Sequence, residues 1–371
     1  MLRKGWRFGK DVKMFTTDEN KKFIEEIYKN IDVDNFNLDD IGDVDEYISE
    51  IFNEAISEAS MSTFEDLKSN LLNQLEFWRA ADDTFEQRLY EVWEKPLNLL
   101  EMLIIIAIEG GSIYNEEMRP DAVQNKDYVF ESLCRLHARA CLVSREILNL
   151  MKGGYASGAL SRWRTLHEIA VVGYFIKKHG NDVAERYLCY HVIDSYKAMR
   201  QQLEFTEYLE ISQYSEKEIK YITEARDDLI DRFGKQYGEP NGWATDVFNG
   251  KRVRFADIEK EAGIDHLRPY YKLGSHSIHA ESKGFLFDIG LVGTKKDIMM
   301  AGPSNMGLAD PGSLMALSLS QITTCFLLMN TTVNGLIYLK TIQLLVKEID
   351  AELSKVHEYT ISRANEFSKK G

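Results

Sequence analysis

The chain has 371 residues, 44% hydrophobic and 28% charged, which is ordinary for a globular protein and excludes global disorder. The net charge of −14 is unevenly spread: residues 18–66 hold 16 acidic against three basic side chains, residues 1–17 carry +4, and the rest only −5. The acidity therefore belongs to an N-terminal segment, and the nearly neutral body neither favours nor excludes nucleic acid.

Six prolines and long periodic runs point to helices. Residues 1–70 read as an acidic, loosely helical segment with a turn-rich tract at 32–46. A helix follows over about 62–92. Pro96 suits the first turn of the next one, LNLLEMLIIIAI, which Gly110-Gly111 is expected to end. A further helix spans about 128–152, closed by Gly153-Gly154. Ser157 is a candidate N-cap for a helix running to about Lys178, and Asp182 for another through about Glu210. Ser215 and Glu218 form a capping box, with the helix ending near Gly234. Residues 235–265 read as a loop with a short helix at 257–262, and Lys251–Arg254 as a solvated basic turn. A helix over 268–283 follows. The loop GPSNMGLADPG at 302–312 carries two prolines and three glycines, which predicts a fixed backbone packed over the end of that helix and near the polar strips at 161–168 and 271–279.

From Pro311 to Leu339 no residue is charged, yet ten are Ser, Thr, Asn or Gln. That polarity suits a central buried helix better than a membrane span. Asp310 and Pro311 are placed to start it. The expected fold is all-α: a multi-helix bundle around the uncharged helix 311–339. The expected divisions are an acidic helical segment (1–94), a bundle core (95–345) and a polar helical tail (346–371). Cys134, Cys141, Cys189 and Cys325 form no CxxC pair and lie in apolar helical patterns. They suggest a reducing, cytoplasmic setting, and no signal peptide or membrane association is expected.

The stretch ALSRWRTLHE at 159–168 sets charge into an apolar helix. An α-helix turns about 100° per residue, so Ser161, Arg164, His167 and Glu168 share one strip, while Arg162 points roughly 140° away from His167. In YYKLGSHSIHAESKG, Tyr271, Ser275 and His279 form a second strip, with a Ser275–His279 bond in reach. If the two helices meet, a cation, a carboxylate, hydroxyls and imidazoles converge, a set suited to acid/base work. Arg164, His167, Glu168, Ser275 and His279 are the candidate catalytic residues. Arg162, Tyr271, Ser304, Asn305 and Asp310 are candidate binding residues. No HExxH, ExxH, P-loop or GxGxxG pattern occurs, and no CxxC or HxxxH pattern accompanies His276 and His279, so neither metal nor cofactor is expected. The order of Ser275, His279 and Glu168 fits no nucleophile elbow.

On the motifs RWRTLHE (162–168), YKLGSHSIH (271–279) and GPSNMGLADP (302–311), the chain is similar to a bacterial family of uncharacterised helical proteins, over about 125–345. That resemblance implies an all-helical fold without a stated activity. More loosely, the spacing of Arg162 and His167 resembles the R-x4–6-H signature of HEPN proteins, helical toxins and phage-defence effectors. Such a resemblance implies a homodimer acting on RNA without metal, where Arg and His promote attack of a ribose 2′-hydroxyl on the adjacent phosphate. Arg164 lies nearer His167 than Arg162 does and would supply the cation. Two readings follow: a HEPN-like ribonuclease, or a non-catalytic helical module for ligand or partner binding with a structural polar network.

Overall fold

A computed structural model of the chain describes residues 44–209, 214–279, 282–286, 288–291 and 300–369. The basic N-terminus and most of the turn-rich tract at 32–46 lie outside the described residues. The described residues contain helices and no strand. The protein is all-α.

The chain divides into two units, Met1–Arg88 and Leu89–Gly371. The first contains α1 (Val44–Ser69) and the start of α2 (Leu71–Gln124). Within it Met61, Phe64, Leu72 and Phe77 are exposed.

The second unit holds the core. Its longer helices are the rest of α2, α3 (Tyr128–Lys152), α4 (Ala156–His179), α5 (Asn181–Cys189), α6 (His191–Glu204), α7 (Glu216–Phe233), α8 (Phe255–Ala262), α9 (Arg268–Ile278), α10 (Ala309–Leu327) and α11 (Val333–Lys369). Helix α4 is packed by α3, α10, α9 and α8, and its apolar residues point in every direction. Trp163, Leu166, Ala170, Val171, Phe175 and Ile176 are fully enclosed. Helix α10 packs against α3, α4 and α11 and buries Met315, Leu319, Ile322 and Phe326.

Several boundaries differ from the sequence reading. Helix α2 is continuous through Pro96, which cannot donate a backbone hydrogen bond. Burial of Trp93, Leu97, Leu100 and Leu103 holds the helix together across that defect. Gly110 and Gly111 do not end it. A Cβ on Gly110 would lie 3.2 Å from the Tyr338 ring, and one on Gly111 would overlap the His137 imidazole. These glycines serve close packing instead of termination.

The uncharged stretch 311–339 is not one helix. It breaks between Leu327 and Val333, where the Asn330 N–H donates to the Tyr114 hydroxyl at 2.8 Å. Thr332 then caps α11 by accepting from the Gly335 N–H at 3.0 Å. The central place falls to α4 together with α10. Asp310 is exposed in the first turn of α10, and Leu308 stands at its N-cap. At α4 the N-cap is Tyr155, not Ser157. The helix expected over 268–283 stops at Ile278, and the stretch before Glu210 breaks at Tyr190 into α5 and α6. The Ser215 capping box is present.

The 302–312 loop is pinned at three points. The Ser304 N–H donates to the Gly154 carbonyl (2.9 Å), the Ser304 hydroxyl to the Gly290 carbonyl (2.8 Å), and the Trp93 indole to the Asn305 carbonyl (3.0 Å). Gly307 sits at φ +78°, where a Cβ would overlap the Ile289 carbonyl. Gly307→Ala combines positive-φ strain with that overlap and should lower stability by about 1–3 kcal/mol, read by urea denaturation. A variant as stable as the parent would mean the loop is not fixed there.

Candidate functional site

The polar stretch of α4 is divided among four neighbouring helices. Arg162 turns to α3, where its guanidinium pairs with Glu146, and it also donates to the Thr165 hydroxyl of its own helix at 3.2 Å. Trp163 turns to α10 and donates its indole N–H to Ser318 Oγ at 2.9 Å. Arg164, His167 and Glu168 turn to α8 and α9. The roughly 140° between Arg162 and His167 is thus realised as contact with different helices.

Helix α9 approaches closely because residue 274 is glycine. A Cβ there would stand 3.1 Å from both Arg164 Cγ and the Leu160 carbonyl oxygen. The approach brings Tyr271 onto α4. Arg164 Nη2 donates to the Tyr271 hydroxyl at 2.7 Å, and that hydroxyl donates to Glu168 Oε1 at 2.6 Å. The Arg164 guanidinium also lies 4.2 Å from the centre of the Tyr271 ring. Burial, then the Glu168 carboxylate, pushes the Tyr271 phenol up to about 12, so it stays a proton donor at neutral pH.

His167 lies inside this cluster and is fully enclosed. Its Nε2 is 2.8 Å from Oε1 of Glu259, itself fully buried on α8, and the other Glu259 oxygen pairs with Arg268 at the start of α9. The imidazole packs beside Trp163 (5.3 Å between ring centres) and Tyr271 (5.9 Å), with Phe255 edge-on. Burial lowers the His167 pKa, against the opposing pull of Glu259. A neutral imidazole donating Nε2–H to Glu259 leaves Nδ1 bare, and Nδ1 has no hydrogen-bond partner. Arg268 balances the carboxylate.

The remaining sequence candidates lie elsewhere. The Ser275 hydroxyl donates to the Tyr271 carbonyl one turn back, at 2.9 Å. His279 is the exposed C-cap residue of α9, and the bond joining it to Ser275 is backbone N–H to carbonyl at 3.1 Å, not side chain to side chain. The hydrogen bonds that Ser304 and Asn305 make outside the loop run to Gly154 just before α4, to Gly290 and to Trp93 on α2, and among the described residues none runs to the end of α9, the packing site expected of this loop. Among the described residues none of their hydrogen bonds reaches Arg164, Glu168 or Tyr271. Among the described residues, no group of three or more His, Cys, Asp and Glu is gathered to hold a metal.

Residues 130–296 match a family of unknown function (DUF5677). The DUF5677 segment contains α4, α8 and α9, hence every member of the Arg164–Tyr271–Glu168 and His167–Glu259–Arg268 sets. It stops before the 302–312 loop. Together with the all-helical structure, the match fits an uncharacterised helical domain family. Neither a curated protein nor a solved structure matches the chain.

Sequence reasoning missed Glu259, Arg268, Glu146 and Phe255. A histidine on an apolar helix announces the need for a partner. Nothing in the sequence singles out Glu259 among 59 acidic residues, because α8 reads as an ordinary short polar helix.

Proposed function

We propose that the chain is a non-catalytic helical module that acts by binding a partner, and that the α4 constellation is its internal scaffold. The observation that carries this reading is the enclosure of His167. The imidazole of His167, beside Arg164, is sealed behind Trp163, Phe255 and Tyr271 and hydrogen-bonded to a buried carboxylate. A general acid or base must come within about 3 Å of the proton it moves. His167 could reach a ribose hydroxyl only if α8 and α9 detached. Arg162, the other half of the HEPN-like spacing, is held on α3 by Glu146. Support also comes from the helix that carries Tyr271: Ser275 is bonded to its own backbone, and His279 stands at the open end of α9.

The competing reading is a metal-independent ribonuclease. The purified chain is incubated with total RNA in EDTA, and fragments are analysed for cyclic-phosphate ends. The module reading expects intact RNA with the parent and with His167→Ala alike, and a lower melting temperature for the variant. Cyclic-phosphate fragments produced by the parent and lost in His167→Ala would establish the nuclease instead.

A further inference from the structure

Helices α2 and α11 run antiparallel along one side of the second unit. Lys95 reaches Glu348 at 3.3 Å and Glu352 at 2.8 Å, and Gly110 lies against the ring of Tyr338. Each helix buries one row: Leu97, Leu100, Leu103 and Ala107 on α2, and Leu339, Ile342, Ile349 and Leu353 on α11. Each also carries a second apolar row facing out. On α2 it is Met102, Ile105 and Ile113, and on α11 it is Val333, Ile337 and Leu344. At about 100° per residue each outer row spans no more than about 80°, on the side opposite the buried row. Ile337 is 60% exposed. Single exposed apolar residues are ordinary, but two adjacent rows at helical spacing mark an interaction surface.

The charges around these rows are sorted by helix. From Pro96 to Met118, α2 carries Glu101, Glu109, Glu116 and Glu117 and no basic residue. From Val333 to Lys347, α11 carries Lys340 and Lys347 and no acidic residue. An apolar face with an acidic helix beside a basic one is complementary to itself. A two-fold axis parallel to the helices lays α2 of one copy on α11 of the other at the same height. Gly110 is level with Tyr338, so Glu109 then stands opposite Lys340 of the second copy, and Met102 falls near Leu344 of the second copy.

We propose that the α2–α11 face pairs with the same face of a second copy of this chain, forming a four-helix layer with Glu109 against Lys340. The inference deepens the reading of the chain as a partner-binding module, and rests on it, by naming the partner. The test is sedimentation equilibrium of the full chain at micromolar concentration. The parent should sediment at twice 42.7 kDa. Ile337→Glu should give a monomer with an unchanged helical melt, since that side chain is exposed. Glu109→Lys and Lys340→Glu should each weaken dimerisation about tenfold or more, and the double charge swap should restore it. A monomeric parent, a dimer that survives Ile337→Glu, or a double swap no tighter than the singles would overturn the proposal. So would a monomer that binds neutral lipid vesicles through Ile337, which would make the face lipid-facing. RNA cleavage by a dimeric parent would overturn the module reading while leaving the dimer standing. A monomer that spares RNA would do the reverse.

Discussion

Glu259→Ala should destabilise the second unit by about 3–5 kcal/mol, the range expected when one member of a buried charge set is removed. Glu259 is fully buried and serves His167 and Arg268 at once. Its loss leaves the Nε2–H of an enclosed imidazole without an acceptor and Arg268 without its counter-charge. It also leaves a void between α4 and α8. Glu259→Gln keeps the shape and one acceptor oxygen, and should cost about half as much because Arg268 is partly solvent-accessible. Glu168→Ala provides the contrast. Glu168 is 43% exposed and lies 3.9 Å from Arg164, so its loss should cost about 1 kcal/mol. Urea denaturation of the three variants reads the order. If Glu259→Ala and Glu168→Ala prove equally mild, the His167–Glu259–Arg268 set does not hold α8 and α9 on α4.

Acidification should unfold the chain partly through its buried histidines. His137 on α3 is enclosed, with Nε2 3.1 Å from the Thr323 hydroxyl and its ring 5.3 Å from that of Phe326. Burial lowers its pKa from 6.5 to about 4. The folded state therefore keeps His137 neutral while the unfolded state takes up a proton below about pH 6.5. With more protons on the unfolded side, stability rises with pH across this window, and it is lost as pH falls from about 6.5 towards 4. At 1.36 kcal/mol per unit, His137 alone accounts for about 3 kcal/mol. His167, lowered mainly by burial, acts in the same direction. His137→Gln keeps a donor for Thr323 but cannot titrate. Its stability should be compared with that of the parent at neutral pH and at about pH 4.5. The parent should lose about 2.5 kcal/mol more than the variant. Equal losses would mean that His137 is not held neutral by the fold.

Much of the site's division of labour is legible in the sequence. The angle between Arg162 and His167 follows from helical pitch alone, and it separates the α3-facing arginine from the α8- and α9-facing strip. The meeting of Arg164 and Glu168 with Tyr271 follows from complementarity, since a cation and a carboxylate on an apolar helix need polar partners. Gly274 is the hidden permission for that contact: a Cβ there would press to 3.1 Å against the Leu160 carbonyl and the Arg164 side chain, and its absence lets α9 come near. Ser275 and His279 share the periodicity of Tyr271 but not its role. The helix ends at Ile278, and the Ser275 hydroxyl finds its own backbone first.

Periodicity, the scarcity of proline and the capping chemistry at Ser215 determine an all-α chain by themselves, because these signals act within a few residues. Helix ends and partners were decided by tertiary contacts. Pro96, Gly110 and Gly111 each read as a boundary, yet α2 runs through all three, since burial of Trp93, Leu97 and Leu100 outweighs local propensity and the glycines make room for Tyr338 and His137. The uncharged stretch reads as one helix, yet Tyr114, distant in sequence, holds the backbone at Asn330 where it breaks. Glu259 became the counterpart of His167 for the same reason: a buried charge is paired by whatever the packing brings to it, and packing depends on residues that are far apart along the chain.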